Sequence, residues 1–263
     1  MIRFIDVSAV QGAIDYSRVA AAGIRAVVVK CTEGMGGADP RYQANVRCAR
    51  EAGLEVGAYH FCKASLSPGM QNLRDDAVGE MQRFHALANF DAGPINFPPV
   101  LDFEIFDGQT PVMAAEWLRI AIMECEGLWG RAPVIYTGAP MEKALTILDG
   151  VAPAMLRRCP LWIAAYPQSK LASGAWSPAI TWEQAAARKF PTVAPWKAAL
   201  MHQFSGGSNT LPGNYVDGIK PFVDCNLFNG GESEWRTFLG LDVMHPNEVG
   251  SPAGEDDPPP EAA

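Results

Sequence analysis

Histidine is scarce in this sequence, and what little there is cannot build a metal site. The 263 residues hold four histidines, well separated, and no zinc constellation can be assembled from them. Six cysteines (Cys31, Cys48, Cys62, Cys125, Cys159 and Cys225) form no Cys-x-x-Cys pair. Most sit in apolar runs, as reduced, buried small hydrophobes do in a protein made in a cytoplasm. Positive charge is also short: 21 Lys and Arg face 29 Asp and Glu, for a net charge of -8 and a pI near 5.0. That balance argues against nucleic acid as a partner, because phosphate binding needs clustered cations. No apolar run approaches the ~20 residues of a membrane helix, so no membrane insertion is expected. The start, Met1-Ile2-Arg3-Phe4-Ile5-Asp6, reaches an acid too early for the apolar region of a signal peptide. No phosphate loop is visible, since Gly34-Met35-Gly36-Gly37 lacks a following Lys-Ser/Thr. Neither Ser8 nor Ser65 has a Gly-x-Ser-x-Gly setting for a nucleophile.

What is present is a large apolar fraction, 48%, enough for one big α/β domain or two small ones. β-rich runs recur at Ile2–Val7, Ala26–Cys31, Glu55–Phe61, Pro99–Phe103, Pro133–Tyr136, Leu161–Ala165, Ala198–Phe204 and Phe222–Asn226. Helical segments lie between the first six. They are a short one over Asp15–Ala22, one from Asp39 to Ala52 stopped by Gly53, and one opened by Ser67 and Pro68. Another is opened by Thr110-Pro111 and ends near Gly130, and a last one runs from Pro140 to Leu148. The predicted fold class is α/β, an irregular TIM-like barrel of about five β-α units followed by three strands with fewer helices. A doubly wound open sheet is the alternative. In both folds, ligands bind where the parallel strands end.

Residues 1–245 are expected to form the single folded domain. Residues 246–263, acidic and Pro-rich, have little to bury and are expected to be a disordered tail. The stretch 167–196 is long for a connection and holds Trp176, Trp182 and Trp196. It predicts a surface excursion with a short helix around Thr181 to Lys189, its tryptophans either packing onto the barrel or stacking on sugars.

The centre of the chain is Pro98-Pro99-Val100-Leu101-Asp102-Phe103-Glu104-Ile105, two acids at the end of an apolar strand. In a strand, residues i and i+2 share a face, which sets the two Cα atoms roughly 6.6 Å apart. Mutual repulsion and partial burial make one of them a candidate to hold its proton near neutral pH. The plain alternative is a pair of acids that cap the strand end. Nearly every other predicted strand also ends in polar groups. They include Asp6, Glu33, Tyr59, Tyr136, Trp162, Tyr166, Gln203 and Asp224. A rim of carboxylates and rings, without metal ligands or a Lys/Arg cluster, suits a neutral polyhydroxylated substrate.

The motifs at these positions run in a recognisable order. Asp6-Val7-Ser8-x-x-Gln11-Gly12, Lys30-x-Thr32-Glu33-Gly34, Gly57-Ala58-Tyr59-His60-Phe61, Leu101-Asp102-x-Glu104, Trp162-x-x-x-Tyr166 and Val223-Asp224-x-Asn226-x-Phe228 span Ile5 to Phe228. The sequence resembles the glycoside hydrolase family 25 lysozymes, the Chalaropsis-type N-acetylmuramidases common among bacteriophage endolysins. It departs from that pattern at Val10, where an aromatic is usual, at Cys31 and at Phe204.

The resemblance implies a peptidoglycan hydrolase that cleaves the β-1,4 bond between N-acetylmuramic acid and N-acetylglucosamine. Glu104 would be the general acid and Asp102 its partner, with Asp6 and Asp224 completing the catalytic group. Glu33, Tyr59, Tyr136, Trp162, Tyr166 and Gln203 would bind substrate. No cofactor and no metal are implied. The expected protein is a monomer whose partner is bacterial peptidoglycan, held in the host cytoplasm until release to the wall. A virion-associated wall-degrading component and a chitinase-like hydrolase are the alternatives.

Overall fold

Along each strand the side chains alternate between two buried environments, and this alternation closes the sheet. In the computed structural model, which describes residues 1–65, 71–88, 96–206, 213–220 and 222–241, eight strands form a closed barrel in sequence order. They are β1 (Ile2–Val7), β2 (Ala26–Glu33), β3 (Glu55–Phe61), β4 (Val100–Asp102), β5 (Val134–Thr137), β6 (Leu161–Ala164), β7 (Met201–Ser205) and β8 (Asp224–Phe228). The first seven are parallel; β8 runs antiparallel to both β7 and β1 and closes the ring. The barrel is therefore the irregular one expected, and the open sheet is excluded.

Helices pack on the outside: α1 (Tyr16–Ala21), α2 (Tyr42–Glu51), α3 (Leu73–Ala88), α4 (Pro111–Trp129), α5 (Glu142–Val151), α6 (Pro153–Arg158), α7 (Trp182–Ala186) and α8 (Glu232–Leu239). Their ends follow local chemistry. Asp15 caps α1 and Thr110 caps α4, each accepting a backbone N–H, and Gly130 ends α4 in the left-handed region. The Ser67-Pro68 start and the tail over 246–263 lie outside the described residues. Two helices were not anticipated: α6, which is only one and a half turns long, and α8. α7 falls within the short helix expected around Thr181 to Lys189, and Thr181 caps it.

Two of the excursion's three tryptophans are engaged in packing and hydrogen bonding. Trp182 lies edge-on to Phe204 at 5.0 Å, and Trp196 donates to the carbonyl of Cys159 at 2.8 Å.

The interior-facing residues form a core of their own. Ile2, Phe4, Ala26, Val28, Val100, Val134, Trp162, Met201 and Phe228 meet there, with Trp235 and Leu239 of α8 closing one end. Phe97 joins them, and its ring is the reason position 57 must be glycine: a Cβ there would meet it at 2.9 Å. Each buried ring such as Phe4 contributes about 2–3 kcal/mol of apolar transfer. With that end plugged, only the end where the parallel strands finish is open.

On the outer face of β3, His60 and Glu80 of α3 form a fully buried pair, Nε2 to Oε2 at 2.6 Å, and His60 Nδ1 lies 2.8 Å from Thr32 Oγ1. Burial pushes Glu80 up to about 9 and His60 down to about 3, so the pair is neutral, with the Glu80 hydroxyl donating to the imidazole. A carboxyl raised in this way favours the fold while protonated, and the benefit fades as pH climbs through about 9. The lowered His60 loses its benefit only as pH falls from about 6.5 through about 3. Between pH 6.5 and 9 the slope from this pair is therefore Glu80's alone. The thermal midpoint should drop over that interval, and Glu80→Gln should flatten the drop while still donating to His60. Equal slopes in the two proteins would mean that the pair is charged in the fold.

Candidate active site

The inward positions that are apolar near the plugged end become polar toward the open end. Two residues beyond Phe4 stands Asp6, beyond Val28 Lys30, beyond Val100 Asp102 and beyond Val134 Tyr136. On antiparallel β8 the order reverses, from Phe228 through Asn226 to Asp224. A pocket of about 190 Å³ opens at this rim, walled by the acids Asp6, Asp102, Glu104 and Asp224 with Lys30, and by Tyr59, Phe61, Val100, Tyr136 and Trp162.

The pair at the centre differs from the expectation in one respect. β4 stops at Asp102, so Asp102 is 7% exposed inside the barrel mouth while Glu104 stands beyond the strand as an exposed residue. Burial, followed by the charges of Glu104 and Asp6, raises Asp102 well above the usual carboxylate range. Glu104 is also raised, by partial desolvation of its carboxyl, and Lys30 pulls it back down. The sequence pointed to Glu104 as the carboxyl pushed up by its neighbour. In the free protein the stronger perturbation falls on Asp102, because it is the more buried. Asp102 Oδ1 is buried and has no hydrogen-bond partner among the described residues.

A hydrogen-bond network fixes the opposite wall. Asp6 Oδ2 accepts from Gln203 Nε2 at 2.9 Å and from Asn226 Nδ2 at 2.8 Å. Gln203 Oε1 in turn accepts the hydroxyls of Tyr136 at 2.9 Å and Tyr166 at 2.5 Å. Asn226 Oδ1 accepts from Trp162 Nε1 at 2.9 Å. Burial raises Asp6 to about 6, against the pull of its hydrogen bonds with Asn226, Gln203 and Asp224. Trp162 and Tyr136 lie edge to face at 5.0 Å, forming part of the aromatic floor.

Of the ten residues singled out by sequence, Asp6, Asp102, Glu104, Asp224, Tyr59, Tyr136 and Trp162 line the pocket. Gln203 is fully buried behind it, occupied by two tyrosines and Asp6, and Tyr166 is 38% exposed beside it with its hydroxyl on Gln203. Glu33 is off the pocket wall; it bridges Lys30 at 2.6 Å and Lys63 at 3.2 Å. Lys30, Phe61 and Asn226 were overlooked as site residues although they sit inside the quoted motifs. The missing signal was parity: each lies two positions from another inward residue of its strand. Among the described residues, no group of three His, Cys, Asp or Glu side chains is arranged to hold a metal ion.

The model of the family described as "Glycosyl hydrolases family 25" matches residues 5–193, which include the acid pair and most of the barrel. The chain belongs to this family. It is a glycoside hydrolase of the lysozyme type. Among relatives, the uncharacterized protein YegX of Escherichia coli O157:H7 is 31% identical over 247 residues, covering 90% of this chain and 73% of that one. Lysozyme M1 of Streptomyces globisporus is 28% identical over 235 residues, covering 87% and 68%. The fold matches the lysozyme of Streptomyces coelicolor with a TM-score of 0.67 at 22% identity, covering 91% of this chain and 97% of that one. It also matches the muramidase of Acremonium alcalophilum, with a TM-score of 0.66 at 24% identity, covering 92% and 100%.

Proposed function

We propose that this family 25 hydrolase is an N-acetylmuramidase. It cleaves the β-1,4 bond between N-acetylmuramic acid and N-acetylglucosamine in peptidoglycan, acting as a monomer. The observation that carries the reading is the unpartnered, buried Oδ1 of Asp102 beside Glu104. A 2-acetamido N–H of a bound amino sugar supplies the partner that this oxygen lacks, and a carboxylate accepting that bond is favoured in its ionised form. Glu104 then holds the proton that the two carboxyls share, and delivers it to the leaving glycosidic oxygen.

With Asp102 orienting it, the acetamido oxygen attacks the anomeric carbon as the glycosidic bond breaks, giving a cyclic oxazolinium. Water then adds to the same carbon as Glu104 takes its proton, which restores the acetamido group and retains the configuration. Lysozyme M1 among the relatives supports a cell-wall substrate.

The test is loss of turbidity of purified peptidoglycan, with mass spectrometry of the new sugar ends. Muramic acid at the reducing end is the expected result. Equal cleavage of chitin oligomers would favour the chitinase-like alternative. We assign the biological role to host lysis by a phage endolysin that stays in the host cytoplasm until a pore releases it to the wall. Cells making it should then remain intact until their membrane is permeabilised.

A further inference from the structure

The catalytic pocket, at about 190 Å³, is smaller than the ~300–1,000 Å³ of an ordinary ligand site. A polymer cut within its length must leave such a pocket over the surface on both sides. On one side the way out is built. A second cavity of about 170 Å³ shares Asp6, Tyr59 and Asp224 with the pocket, and adds Ser8, Val10 and Phe222. A larger cavity, about 1270 Å³, has Ile14, Tyr16, Tyr215 and Lys220 in its lining.

The same two stretches of chain supply walls to all three spaces. One runs from Asp6 through Ser8 and Val10 to Ile14 and Tyr16. The other runs back from Asp224 through Phe222 to Tyr215. These walls are pinned together: Asp15 N–H donates to the Gly218 carbonyl at 3.0 Å, and Arg18 pairs with Asp217. Gly218 is required there, since its φ is +96° and a Cβ would meet the Asp15 carbonyl at 2.4 Å.

Two of the large apolar side chains exposed on the molecule lie on this path. Val10 is 82% exposed, and Tyr215, which is 69% exposed and lines the large cavity, packs at 5.2 Å on Phe222, which lines the second. Tyr16, 3% exposed, lies in the lining of the large groove, its hydroxyl oxygen buried and without a hydrogen-bond partner among the described residues.

From these observations we infer that the three cavities form one track for a wall glycan strand. The strand runs from the catalytic pocket over Val10 and the Tyr215–Phe222 pair into the groove beside α1. The inference rests on the muramidase reading for the identity of the polymer. Tyr215 offers a ring face to a sugar.

The experiment uses the full chain carrying Glu104→Gln, so that strands bind without being cut, and compares it with the same chain carrying Tyr215→Ala as well. The probes are size-fractionated glycan strands freed of peptide by an amidase, titrated calorimetrically from tetrasaccharide upward. Affinity should rise with length beyond the tetrasaccharide. Loss of Tyr215 should weaken long strands by about two- to tenfold, the effect of one ring contact, and so reduce the length dependence. Long strands that bind equally well with and without Tyr215, or no better than the tetrasaccharide, would overturn the track and leave the muramidase reading standing. Strands of every length failing to bind would overturn both.

Discussion

Glu104→Gln should lower kcat on peptidoglycan by at least about 10²–10⁴-fold with little change in KM, because the proton it removes is needed only in the transition state. Gln keeps the length and polarity of the side chain, and Glu104 stands exposed at the mouth, so neither packing nor stability should suffer. What disappears is a carboxyl at the rim that is both raised in pKa and open to a leaving oxygen. Asp6 and Asp102 are raised as well but are buried at 8% and 7% exposure. Single-turnover measurement of bond cleavage checks the loss directly. A Gln variant with near-normal turnover would refute the assignment.

The second large effect is expected of Asp102→Asn. The amide can still accept one hydrogen bond from an acetamido N–H, so binding should hold. The negative charge that stabilises the developing oxazolinium is lost, and charge stabilisation of this kind is worth about 10²–10³ in kcat. The pH profile carries further information. The two carboxyls titrate together, and the alkaline limb of kcat/KM reports loss of the last proton they share. With Asn at 102, Glu104 titrates without a like charge beside it and with Lys30 still pulling downward, so the limb should move to lower pH. Glu104 stays partly desolvated, so the limb should remain above the usual carboxylate range. An unmoved limb would mean that the two carboxyls are not coupled.

Stability should change in the opposite sense to activity. A buried carboxyl with a raised pKa costs the fold more as pH rises, so the Asn variant should lose less thermal midpoint between pH 6 and 9 than the parent. That pattern, a slower enzyme that is firmer in alkali, is what a carboxyl held for chemistry rather than for packing would leave.

Much of this was legible beforehand, for physical reasons that differ by region. Strand and helix order follow from local periodicity and caps, and Thr110-Pro111 with Gly130 marked both ends of α4 to the residue. The acid pair was legible because nothing else in an apolar strand explains two carboxylates one residue apart. Boundaries were less so: β2 runs on to Glu33, and β7 starts at Met201 rather than Ala198, since a strand ends where its neighbour stops pairing. α8 went unread because its apolar face is short, and its reason for existing is a barrel end that needs Trp235.

The sequence by itself determined the chemistry available: which side chains carry acid, ring or amide, and in what order they meet the strands. It could not determine which carboxyl is buried. That depends on β4 ending at Asp102, and so on how far β3 and β5 extend beside it. Nor could it show that Gln203 and Asn226 converge on one oxygen of Asp6, 197 and 220 residues away along the chain. Closure of the barrel by antiparallel β8 brings those groups together. A hydrogen bond between distant residues exists only once every strand between them has its register.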